Sequence, residues 1–160
     1  MKRIMAALLA GIALASSAFG AGTDGIRVRL PGSAYSVTVP EGMTYDGPGE
    51  GADTSKFAWL DERIGLDASF FCYDSKGLDV WTIAESIRDQ CENVAIYLIS
   101  GIEMLVYELT DPGDPPGEGM RCIAYAFREG DMIQEITFWY ATQEAADRTA
   151  EIIESITKEE

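Results

Sequence analysis

Histidine is missing from all 160 residues of the chain. Its absence removes the usual general base and every Ser-His or Cys-His nucleophile. Cysteine is scarce, with only Cys72, Cys91 and Cys122. No Cys-x-x-Cys motif of a thiol oxidoreductase is present. The cysteine spacing fits no zinc pattern, and without imidazole a metal site would need all three thiolates plus a carboxylate. Basic residues number 12 against 27 acidic ones, for a formal net charge of −15. Nucleic acid and anionic lipid surfaces repel such a protein. The glycine clusters carry acids where a phosphate cradle would need donors. No cofactor is expected, and the chemistry available to an enzyme is thin.

What is present begins with a three-part N-terminus. Lys2 and Arg3 open it, Ile4 to Ala15 form an apolar middle, and Ala18-Phe19-Gly20 is a small-x-small end. This is the pattern of a cleavable secretory signal, and the apolar run is shorter than the roughly 20 residues that span a bilayer. The expectation is a signal peptide over residues 1–20 and one α+β domain over 21–160. The mature protein is then secreted or periplasmic, with no membrane span after cleavage. A hydrophobic content of 47% argues that the acidity reflects solubility rather than disorder.

The centre of the chain reads as a meander of strands, Asn93–Ile99, Ile102–Thr110, Met120–Glu129 and Met132–Tyr140, broken by Gly and Pro clusters. Before it come short strands at Ile26–Leu30 and Ala34–Val39, then a hairpin of Lys56–Leu60 and Leu66–Tyr73. Asp79 caps a helix whose stripe is Val80, Ile83, Ala84, Ile87 and Cys91. Trp81 falls off that stripe. A closing helix follows Thr142 and buries Ala145, Thr149, Ile152, Ile153 and Ile156, with Glu144–Arg148 and Glu154–Lys158 as i,i+4 pairs on its wet side. Met120, Cys122, Ala124 and Ala126 form a small-residue strand face suited to a close-packed helix. The fold class is α+β, an antiparallel β-sheet with helices packed on its faces.

Two strands leading into Val-Pro-Glu-Gly-Met at 39–43, a hairpin, a helix, a four-strand meander and a helix ending in Ile-Ile-Glu-Ser-Ile at 152–156 resemble the PsbP-like family. That family is named for an extrinsic subunit of the photosynthetic oxygen-evolving complex. The likeness covers nearly all of the chain after residue 20. It implies an α-β-α sandwich and docking or accessory roles rather than catalysis, and it carries no site residue across.

Two classes of function follow. One is a small exported binding or accessory module, non-catalytic, for a protein or small-ligand partner and not for nucleic acid. Its candidate contact surface is the Pro-stiffened acidic loop of Asp111, Asp114 and Glu118, with exposed Trp81 as a second candidate. The same loop offers carboxylates to calcium, but its spacing is not that of an EF-hand, and a solvated turn is the simpler reading. The other class is a hydrolase using paired Asp or Glu carboxylates. Export also permits one disulfide. The expected pair is Cys91–Cys122, since Cys91 lies on the helix stripe and Cys122 on the strand face that would receive it. Cys72 fits less well, because the helix carries Cys91 roughly 18 Å from its start. Buried, inert cysteines are the competing reading.

Overall fold

In a computed structural model, residues 25–47, 56–109 and 119–159 are described. The expected signal peptide and the acidic loop Asp111–Glu118 lie outside them. Ten strands and two helices follow in the order β1 (Gly25–Arg29), β2 (Tyr35–Pro40), β3 (Thr44–Asp46), β4 (Lys56–Asp61), β5 (Leu66–Asp74), α1 (Val80–Ile87), β6 (Cys91–Ile99), β7 (Ile102–Leu109), β8 (Arg121–Glu129), β9 (Met132–Tyr140), α2 (Gln143–Glu154) and β10 (Thr157–Lys158). The meander pairs as its Gly punctuation demands, and β5 joins it through β9 rather than through a sequence neighbour. The result is a seven-stranded antiparallel sheet in the order β3-β4-β5-β9-β8-β7-β6. A second sheet, β1-β2-β10, is stitched from both ends of the described chain.

Alternation along β5, β8 and β9 is apolar on both faces, so each face needs cover. On one side Phe70, Ile123, Phe127, Ile136 and Phe138 pack against Ala145, Ile152 and Ile153 of α2 and against Val37 and Val39 of the small sheet. Most of the core lies there. On the other side Val80 and Ala84 of α1 pack on Leu105, Ala126 and Ile133, with Ile83, Ile87, Val94, Ile96 and Tyr107 around them. The small-residue strand face is therefore only partly under a helix, at Ala126.

Both helix starts follow their caps. The Asp79 side chain accepts from the Thr82 N–H at 2.8 Å. Thr142 Oγ1 accepts from Ala145 N–H at 3.1 Å while donating to the Ile64 carbonyl at 3.0 Å, which ties α2 to the β4–β5 hairpin.

Three sequence expectations change. Cys91 does not end a helix stripe. The helix stops at Ile87, Gln90 N–H bonds the Ile87 carbonyl at 2.9 Å, and Cys91 opens β6 two residues before the expected strand start. A residue eleven positions along fits a stripe arithmetically whether or not the helix persists. The ground for pairing Cys91 with Cys122 falls away with it, and Cys72, Cys91 and Cys122 are free thiols in the structure. Arg148 pairs with Glu151 at 2.7 Å, one residue closer than the i,i+4 pattern with Glu144. Lys158 lies on β10 past the helix end, over the Tyr35 ring at 6.0 Å, so it makes no helical pair with Glu154.

Candidate functional site

The helix α1 spans eight residues, about 12 Å, and lies over β6, β7 and β8. The same face of the sheet continues across β9, β5 and β4, where α1 reaches only Ile133 of β9 and no other described helix covers it. Register fixes what stands there. Asp67, Ser69, Phe71 and Tyr73 of β5 oppose Trp139, Thr137, Glu135 and Ile133 of β9. Those residues in turn oppose Cys122, Ala124, Ala126 and Arg128 of β8. Directly opposed residues share a face. Cys122, Ala124 and Thr137 form a buried floor between taller side chains, while Tyr73 is 41% exposed.

Glu135 is the hub of this surface. Tyr73 Oη donates to Glu135 Oε2 at 2.7 Å, and Tyr107 Oη donates to the same oxygen at 3.1 Å. Thr137 Oγ1 donates to Oε1 at 3.3 Å. Tyr107 comes from β7, two strands away, and reaches Glu135 across Ala124 and Ala126, whose small side chains leave room for its ring. Burial, then the charge of Glu135, raises the pKa of both tyrosines well above the phenol's ordinary value. They are therefore fixed hydrogen-bond donors, not bases. Burial also pushes the Cys122 thiol up to about 12, with Glu135 and Asp67 adding to it. A thiol so placed is not a nucleophile near neutral pH.

Asp67 accepts from Ser69 Oγ at 3.0 Å, and burial raises its carboxyl above the usual range, helped by the charge of Asp46. Asp67 opposes Trp139, four residues along β9 from Glu135, a Cα separation of roughly 14 Å. Glu108 is engaged by Arg121 at 2.8 Å. The depression lined by Pro40, Met43, Asp61, Arg63, Glu144 and Arg148 has a cavity volume of only about 30 Å³, far below the roughly 300–1,000 Å³ of ligand pockets. Both of its arginines are engaged, Arg63 by Asp61 at 2.7 Å and Arg148 by Glu151. Among the described residues no group of three or more Cys, Asp or Glu is placed to hold a metal ion.

Of the residues singled out in the sequence, Trp81 is 58% exposed at the start of α1. Asp79, two residues before it, is close enough to Arg128 for that charge to lower its carboxyl, although the Thr82 N–H lowers it more. The anchors of the acidic loop, Leu109 and Arg121, stand at the other end of the sheet, eight residues along β8 from Glu129, roughly 27 Å away. Trp81 and the described anchors of the loop thus stand at opposite ends of the sheet. Tyr73, Tyr107, Glu135 and Thr137 were not picked out as a group from the sequence. The usable signal was strand parity: each lies on the face opposite the main core.

No family model matches the chain, and no curated protein matches it. Solved structures define its class as α+β with the fold of PsbP. The chain is similar to cyanobacterial PsbP (CyanoP) from Synechocystis sp. PCC 6803, with a TM-score of 0.54 and 13% identity over 87% of this chain and 97% of that one. The Ran-binding protein Mog1p of Saccharomyces cerevisiae gives a TM-score of 0.51 at 9% identity, over 86% and 96%. A Bacteroides thetaiotaomicron protein gives 0.57 at 13% identity over 85% of this chain, which spans only 49% of that longer one. The topology-level likeness to the PsbP-like family therefore stands, at the level of fold. Among the described residues no helix is long and apolar enough to cross a membrane.

Proposed function

We propose that the protein is an exported, non-catalytic binding or accessory module, built as a PsbP-like α-β-α sandwich, that docks a partner protein on the half of its sheet left uncovered by α1. One observation carries this reading. The carboxylate at the centre of that surface is bound by Tyr73, Tyr107 and Thr137 hydroxyls at 2.7–3.3 Å, an arrangement that holds side chains still instead of freeing an acid or base. A surface fixed before contact loses less entropy on binding. Partly exposed aromatic rings beside satisfied polar groups are the usual material of protein interfaces. The Ran-binding neighbour supports a binding role for this fold. The acidic loop of Asp111, Asp114 and Glu118 and the Trp81 side chain are secondary candidates for the same role.

The test is affinity capture from the exported fraction, with wild-type protein and a Phe71→Lys, Tyr73→Ala double variant as baits. Partners lost with the double variant and kept by Trp81→Ala place docking on the sheet face. Retention by the double variant and loss with Trp81→Ala would move the site to α1. A defined substrate turnover would overturn the non-catalytic reading. Protein recovered from the exported fraction is expected to lack residues 1–20, which its intact mass reports.

A further inference from the structure

A second surface lies at the edge of the large sheet. The seven-stranded sheet ends at β6, which pairs only with β7 among the described residues. An edge strand presents every second N–H and C=O outward without a partner. Natural edges are blunted by shortness, charge, proline or a bulge. The opposite edge, β3, follows that rule with three residues ending in Asp46. In contrast β6 has nine residues. A bulge interrupts it between Glu92 and Ala95, and beyond the bulge Ala95–Ile99 runs in regular register against Ile102–Val106. That stretch, AIYLI, holds no charge, proline or glycine. Leu98 is 73% exposed and Tyr97 41%, on opposite faces of the strand.

We propose that the free edge of β6 over Ala95–Ile99 receives an extended, basic segment of a partner protein as an eighth strand of the sheet. Backbone pairing would supply the affinity, and alternate side chains of the incoming strand would meet Tyr97 on one face and Leu98 on the other. Charge selects the occupant. Between Asp89 and Met120 the sequence contains no Lys or Arg. Asp89 and Glu103 form no ion pair among the described residues, and Glu103 directly opposes Leu98. Two copies pairing edge to edge would bring the acids of two such hairpins together, and like charges across strands are unfavourable. A strand with Lys or Arg flanking β-branched residues meets complementary charge instead.

The proposal is independent of the sheet-face reading and has its own test. The probe is a short synthetic peptide of alternating Val and Thr with Lys at its ends and centre, and its counterpart carries Glu at those positions. Amide hydrogen exchange by NMR reads each residue of β6. The expected result is slowed exchange within Ala95–Ile99 on adding the Lys peptide and none with the Glu peptide. Leu98→Lys, at a site too exposed to threaten the fold, should weaken Lys-peptide binding about tenfold. Unchanged exchange in β6, or equal binding of both peptides, overturns the proposal. So does a concentration-dependent dimer of the protein alone that Leu98→Lys dissociates, since that result gives the edge to a second copy.

Discussion

Replacing Glu135 with Ala removes the acceptor shared by three hydroxyls. Hydrogen bonds to a charged acceptor contribute about 1.5–3 kcal/mol each. The Tyr73 bond is the shortest at 2.7 Å, but Tyr73 is 41% exposed, so water replaces much of it. Tyr107 is less exposed and loses more. The Thr137 contact at 3.3 Å is long for an O–H···O bond and adds little. Relief from desolvating the carboxylate offsets part of the loss, leaving about 2 kcal/mol. In urea that is a fall of about 1 M in midpoint with an unchanged slope, and Glu135→Gln, which keeps an acceptor, should lose about half as much. Alkali gives a second readout. Both tyrosines hold their protons longer in the folded protein than in the unfolded chain. Their contribution is complete below the unfolded value near pH 10 and is lost as pH rises above it. Burial is the larger cause, so Glu135→Ala should make the alkaline loss shallower without abolishing it. A midpoint shift below about 0.3 M, with an unaltered alkaline limb, would refute the hub.

Cys122 is buried and its thiol is pushed up to about 12, so a thiol reagent at pH 8 should label Cys72 and Cys91 in the native protein and Cys122 only after unfolding, as mass spectrometry will show. Thr142→Ala removes both the α2 cap and the bond to the Ile64 carbonyl and should cost about 1–2 kcal/mol by urea denaturation. Phe70→Ala, at a fully buried position in β5, should cost about 3–5 kcal/mol in the same assay. Asp61 is held below the usual carboxylate range chiefly by the Arg63 guanidinium, so its stabilisation is present above the ordinary value near pH 4 and is lost as pH falls through the lowered one; Asp61→Asn should flatten that acid limb.

The meander, the β4–β5 hairpin and both helix caps were readable because each rests on local chemistry. Glycine-containing turns end strands, alternation sets faces, and Asp79 and Thr142 precede clean apolar stripes. The short strands β3 and β10 were not, since two or three residues carry no period, and β10 forms only because the chain after α2 meets β2 at Ser36. The end of α1 was misread because stripe arithmetic cannot see the Gln90 turn that stops the helix. The Glu135 cluster was legible only in part. Its residues could be assigned to a face, but joining Tyr73 to Tyr107 requires the β5–β9 pairing, a contact between strands far apart in sequence. The small residues of β8 were recognised as inviting close approach. Over Ala126 the visitor is α1, and alongside it Tyr107 crosses the strand.

The most direct test of the account is hydrogen exchange on the protein bound to its captured partner, read by mass spectrometry over peptides covering β5 and β9. The account predicts protection concentrated in Leu66–Asp74 and Met132–Tyr140, the strands of the uncovered sheet face, and loss of that protection with the Phe71→Lys, Tyr73→Ala double variant. Protection absent from both strands in a stable complex would contradict it.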